Sequence, residues 1–189
     1  QREKSGCGFS SFSSAPVASQ VILVVDDDTI NRMVLRKILE SSGYAVVEAC
    51  NGKEAIAQVE EVKPDLILLD IMMPEMDGYE VCRHLKADRA TEGIPVIFIS
   101  ALSESSHLVK GFNVGAADYI SKPVNVEEVK ARVKTHLRLK MATEAIKRYN
   151  EELERVVAES SKELSRAERQ AAFGQLIQGI VHNLKGPLT

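Results

Sequence analysis

Five short runs of β-branched and other apolar residues, each followed by a stretch whose apolar residues recur at helical spacing, constrain this chain to one fold class. The runs are VILVV (Val21 to Val25), YAVVEA (Tyr44 to Ala49), LILL (Leu66 to Leu69), PVIFIS (Pro95 to Ser100) and DYI (Asp118 to Ile120). After them come Ile30, Val34 and Ile38; Ala55, Ile56 and Val59; Val81, Cys82 and Leu85; Leu108, Val109 and Phe112; and Val126, Val129, Val133 and Leu137. Strands apolar on both faces and joined through helices form a parallel sheet covered on each side, with right-handed crossovers. The expected fold is therefore α/β, a five-stranded doubly wound parallel sheet. In such sheets the reactive groups gather at the carboxyl ends of the strands, near the point where strand order reverses.

With 189 residues, 44% of them apolar, the chain can bury one substantial core and carry appendages. Its net charge of −3, with basic residues dispersed, lacks the footprint of a nucleic-acid binder. Cys7, Cys50 and Cys82 are too few and too scattered for a disulfide framework or a zinc site and read as free thiols in a reducing compartment. No apolar run approaches the length of a bilayer span, so a soluble, cytoplasmic chain with no membrane partner is expected. Residues 1–20, rich in Ser and Gly without periodicity, read as a flexible tail.

The strand ends carry the chemistry. The first ends in Asp26, Asp27 and Asp28, the third in Asp70 and the fourth in Ser100, while Lys122 follows the fifth. One acidic residue closing a strand is most often a helix cap or a solvated loop residue. Several on one rim are different, because close carboxylates repel and partly protonate unless a cation neutralises them. Oxygen ligands without His or Cys favour Mg²⁺, held by Asp27, Asp70 and a backbone carbonyl just after Asp70, that of Met72, with Asp26 holding a metal-bound water. A carboxylate beside such an ion can attack phosphorus and form an acyl phosphate. Transfer then needs charge neutralisation and positioning, which Mg²⁺, Lys122 and the Ser100 hydroxyl supply. Pro123 fixes the backbone next to Lys122.

In order and spacing, VVDDD, LLDIMMPEMDG, ISA and SKP resemble the response-regulator receiver family over about 120 residues. The resemblance implies a flavodoxin-like sheet, Asp70 as phosphoacceptor, Asp26 and Asp27 as the acidic pair and Ser100 as the switch hydroxyl. It also implies Tyr119 as the switch aromatic, Lys122 as the phosphate-binding lysine and a cis bond between Lys122 and Pro123. The phosphodonor would be a histidine kinase or phosphotransfer protein. Two rivals are weaker. A haloacid-dehalogenase-like phosphatase needs a second Asp two residues after the nucleophile, where Met72 stands, and a nucleotide-binding module wants a glycine-rich loop that DDDTIN lacks. A non-phosphorylated docking module is a further alternative.

The domain reading is a receiver at 21–139, a helical linker at 140–172 and the start of a second phosphoacceptor helix at 173–189. In the linker, Ile146, Tyr149, Leu153, Val156, Leu164, Ala167 and Ala171 stand at heptad-like positions among Glu, Lys and Arg, which predicts a homodimeric coiled coil. FGQLIQGIVHNLKGPLT resembles the phosphoacceptor helix of dimeric sensor histidine kinases, with His182 as the second acceptor. Asn183 replaces the acidic residue usual beside that histidine. These features lead to the expectation of a piece of a larger histidine kinase whose receiver catalyses its own phosphorylation and slow dephosphorylation. Apolar Met72 and Leu102, each two positions after a site residue, would slow that hydrolysis by failing to orient water.

Overall fold

The computed structural model describes residues 20–101 and 105–184, with side chains left undescribed at 102–108 and at several positions beyond 166. Leu102, residues 1–19 and residues 185–189 lie outside the described residues. The chain divides after Lys140 into two units.

In the first unit strands and helices alternate: β1 Val21–Val25, α1 Thr29–Glu40, β2 Ala45–Ala49, α2 Gly52–Val62, β3 Leu66–Asp70, α3 Gly78–Ala87, β4 Val96–Ser100, α4 Ser105–Asn113 and β5 Asp118–Ser121. Helix α5, Val126–Leu184, begins there and continues into the second unit. The strands pair in the order β2-β1-β3-β4-β5, all parallel. Strand order reverses at β1, whose neighbours are β2 and β3, so the switch point lies at the strand ends carrying Asp26 and Asp70.

Side chains alternate between the faces of the sheet and make two cores. Leu23, Val25, Ile67, Leu69, Val96 and Phe98 pack against Ala55, Val59, Val81, Cys82 and Leu85 of α2 and α3. On the other face Ile22, Val24, Leu66, Leu68, Ile97, Ile99 and Ile120 meet Leu35, Ile38 and Leu39 of α1 and Val129, Val133 and Leu137 of α5. Every residue of β3 and β4 is buried, and each such Leu or Ile stabilises the fold by about 1.5–3 kcal/mol. The edge strand β2 departs from the two-faced reading, since its residues before Ala49 are only half-buried. Asp28, Asn51 and Asp77 cap α1, α2 and α3 through side-chain oxygens that accept the N–H of Ile30, Glu54 and Glu80.

Polar ties hold the first turns of α5 to the sheet. Arg132 Nη1 donates to Asp118 Oδ1 at 2.7 Å, His136 Nε2 lies 2.9 Å from Asp118 Oδ2, and Lys140 Nζ donates to Asp65 Oδ1 at 2.8 Å. Burial opposes ionisation of Asp118, but hydrogen bonds from Arg132, His136 and the Tyr119 N–H outweigh it and hold its pKa below the usual 3.8. A carboxyl with a depressed folded pKa stabilises above its unfolded value and loses that contribution as pH falls through the folded one. Asp118→Asn is expected to cost about 1–3 kcal/mol at neutral pH. Urea melts of parent and variant should converge as pH drops below about 4; a gap constant with pH would contradict this. Beyond Lys140 the large apolar side chains of α5, among them Ile146, Tyr149, Leu153, Val156 and Leu164, are exposed in the single chain. No helix among the described residues is long and apolar enough to cross a membrane.

Candidate functional site

β1 and β3 end side by side, which puts the carboxylates of Asp26, Asp27 and Asp70 together, one oxygen from each lying within 4.8 Å of the others. Asp26 and Asp70 are buried at 1% and 4% exposure, whereas Asp27 faces solvent. Lys122 reaches across from the end of β5, its Nζ donating to Asp26 Oδ2 at 2.8 Å and to Asp70 Oδ2 at 2.5 Å. The second oxygen of Asp26 accepts from the Asp28 N–H and from Asn31 Nδ2, and that of Asp70 accepts from the Met72 N–H.

Burial pushes the pKa of Asp70 up, and the hydrogen bonds from Lys122 and the Met72 N–H only partly offset that push. Burial also works against the charge on Lys122, but there Asp26 and Asp70 more than compensate, so the ammonium is held protonated. Among the described residues Lys122 is the one ammonium paired with this cluster, and it reaches two of the three carboxylates, which leaves the group net negative when all are ionised. That deficit, met only by hard oxygen donors, fits a divalent cation of the magnesium type. Asp27, exposed, would leave such an ion open to solvent.

Ser100 closes β4 fully buried, next to β3, with Asp70 paired to Ile99. Tyr119 lies in β5 opposite Phe98. Its ring is half-buried against the first core and its hydroxyl donates to the Ser100 carbonyl at 3.1 Å. The bond between Lys122 and Pro123 is cis. Met72 has its side chain at 62% exposure, lining an open groove of about 500 Å³ with Asp27, Met73, Pro74, Asp77, Tyr79 and Lys110. Leu102 is outside the described residues, and His182 falls in the last turns of α5, remote in sequence from the acidic cluster and with its side chain undescribed.

Two residues of the site escape a reading of the sequence. Gly78 opens α3 directly against the end of β3. A Cβ built on it would drive into the Asp70 carbonyl oxygen and lie 2.9 Å from Ile71 Cα. The Asp77-Gly78 pair signals a turn, but not this contact. Arg32, in α1, donates to the carbonyls of Asp26 and Asp27; nothing in a lone helical arginine announces it.

Known proteins resemble this chain. The family model for the response regulator receiver domain matches residues 22–134. The chain is 50% identical over 117 residues to the transcriptional regulatory protein ResD of Bacillus subtilis, 62% of this chain and 48% of that protein. It is 42% identical over 134 residues to the alkaline phosphatase synthesis transcriptional regulatory protein PhoP of the same organism, 70% of this chain and 55% of that protein. It therefore spans about half the length of these curated relatives. Among solved structures, the signal receiver domain of a signal transduction histidine kinase from Syntrophus aciditrophicus superposes with a TM-score of 0.60 at 38% identity, over 64% of this chain and 91% of that one. A sheet whose switch point gathers a carboxylate cluster, with its two buried members bridged by a lysine, and a family match over more than half the chain leave one conclusion: the protein belongs to the response regulator receiver domain family of two-component phosphorelay signalling.

Proposed function

We propose that Asp70 accepts a phosphoryl group in a magnesium-dependent reaction, from a histidine kinase or phosphotransfer protein, and that α5 carries the resulting state to a kinase module. The observation that supports this most is the cluster of Asp26, Asp27 and Asp70, two of whose carboxylates pair with Lys122. An Asp70 carboxylate oxygen forms the new bond to phosphorus while the bond to the donor breaks and the donor's leaving group departs with that bond's electron pair. Asp27, Asp70 and the Met72 carbonyl would hold magnesium, with Asp26 on a bound water, and the ion would supply charge neutralisation at the phosphoryl oxygens. Lys122 neutralises a second oxygen and the Ser100 hydroxyl donates to a third. Tyr119, bonded to the Ser100 carbonyl, repacks when Ser100 shifts.

Acetyl phosphate with magnesium should add one phosphoryl group, and chelation should suppress labelling by ~10²-fold or more. Labelling indifferent to chelation would overturn the metal-dependent reading. Met72 and Leu102, unable to orient water by hydrogen bonding, make the phosphorylated state long-lived. Decay in magnesium should accelerate in the double variant Met72→Asn, Leu102→Glu, and an unchanged rate would contradict that role.

The output side rests on the exposed apolar residues of α5. A second copy of the helix buries them in a coiled coil, and His182 near its end serves as a second phosphoacceptor in the cytoplasm. ResD and PhoP are named as transcriptional regulators, but this chain itself does not engage nucleic acid, a reading supported by its net charge of −3. Light scattering should find the full chain dimeric and a truncation after Lys140, which keeps the bond to Asp65, monomeric. A truncated form as dimeric as the full chain would place the contact on the receiver instead.

A further inference from the structure

The acidic pair sits at the start of a turn, where backbone geometry would ordinarily be free to vary, yet one side chain grips that backbone from beneath. Arg32 Nη1 donates to the carbonyl of Asp26 at 2.8 Å and to that of Asp27 at 3.2 Å. Its Nη2 donates to Thr29 Oγ1 at 3.1 Å, and its Nε to Glu48 Oε2 at 3.3 Å. The Arg32 side chain is 13% exposed, and Glu48, on the neighbouring strand β2, is itself held by Arg36 Nη1 at 3.2 Å. A guanidinium presents its donors in a fixed plane, so four acceptors spread around one Arg define an orientation that a flexible ammonium could not.

The carboxylates are secured unequally. Asp26 is fixed on both oxygens by Asp28, Asn31 and Lys122. Asp27 is exposed, and its direction depends on the backbone that carries it. We propose that Arg32, oriented by Glu48, is the positioning residue of the acidic pair: by gripping the carbonyls of Asp26 and Asp27 it aims the Asp27 carboxylate at the cation shared with Asp70. The inference rests on the metal reading above and goes beyond it, because it assigns the geometry of the ligands to a residue that touches neither ion nor phosphoryl group. Partners that orient metal ligands typically change affinity 10–100-fold when removed.

The test is the dissociation constant for Mn²⁺ on the full chain, read from the electron paramagnetic resonance signal of the free ion without any phosphodonor. Thermal melting in the absence of metal defines a temperature at which every variant is folded. Arg32→Ala should weaken Mn²⁺ binding ~10-fold or more. Arg32→Lys should recover only part of that, because one ammonium cannot span both carbonyls, Thr29 and Glu48. Glu48→Gln, which keeps shape and leaves Arg32 in place, should weaken binding by a smaller factor. If Arg32→Ala binds Mn²⁺ within twofold of the parent, or if Arg32→Lys restores affinity completely, the positioning role is overturned. Should Arg32→Ala fail to fold, Glu48→Gln decides: affinity equal to the parent's overturns the proposal. Asp27→Asn separates the two levels, because unweakened Mn²⁺ binding in that variant would remove the metal site itself, whereas its loss there with no effect at Arg32 or Glu48 would remove only this inference.

Discussion

Asparagine in place of Asp70 is expected to cut phosphoryl labelling from acetyl phosphate by ~10³-fold or more, the scale of losing a nucleophile. The substitution keeps the shape of a side chain buried at 4% exposure and keeps an oxygen to accept the Met72 N–H. What goes is the second carboxylate oxygen, the one facing Lys122, and with it the electron pair proposed to attack phosphorus. Burial raises the pKa of Asp70 in the folded protein, so removing the charge relieves desolvation as well as losing the ion pair, and the melting temperature should move little. A variant that melts with the parent yet labels undiminished would assign the acceptor elsewhere.

The second large effect is expected from Gly78→Val. Any Cβ there meets backbone atoms of Asp70 and Ile71, which cannot swing aside as a flexible side chain could. The contact also lies beside the hydrogen bond from the Gly78 N–H to the Ile71 carbonyl. Overpacking of this kind costs about 1–3 kcal/mol, occasionally more, and here the backbone that yields carries the acceptor. Urea melts should show the loss of stability, and labelling should fall even at temperatures where the variant is fully folded. Gly93→Ala, where an added Cβ meets nothing within 4 Å, is the matched control and should stay within ±0.5 kcal/mol. A Gly78→Val variant as stable and as readily labelled as the parent would mean that the loop and α3 can part without disturbing Asp70.

How much was legible in the sequence followed from burial. β3 and β4 are buried on both faces and therefore read as unbroken apolar runs, and the alternation with helices told their direction. The acidic strand ends and Lys122 could be brought to one rim because parallel strands all end on the same side. The length of α5 was legible as well, since nothing between Val126 and Leu184 ends a helix. What stayed hidden depends on contacts made only once the chain is folded. Arg32 reads as a solvated helical arginine until β2 brings Glu48 beneath it. Gly78 reads as a turn glycine until α3 lies against β3. The link from Tyr119 to Ser100 exists because β4 and β5 pair in a register that no residue pattern announces.

The most direct measurement is the chemical location of the phosphoryl group. Borohydride reduces an aspartyl phosphate to homoserine, so the parent chain treated with acetyl phosphate and magnesium, then reduced and digested, should carry homoserine at position 70 and at no other aspartate. A sample without magnesium should carry almost none. Homoserine at another aspartate with Asp70 intact, or a stable phosphoryl group on a serine, would contradict Asp70 as the acceptor.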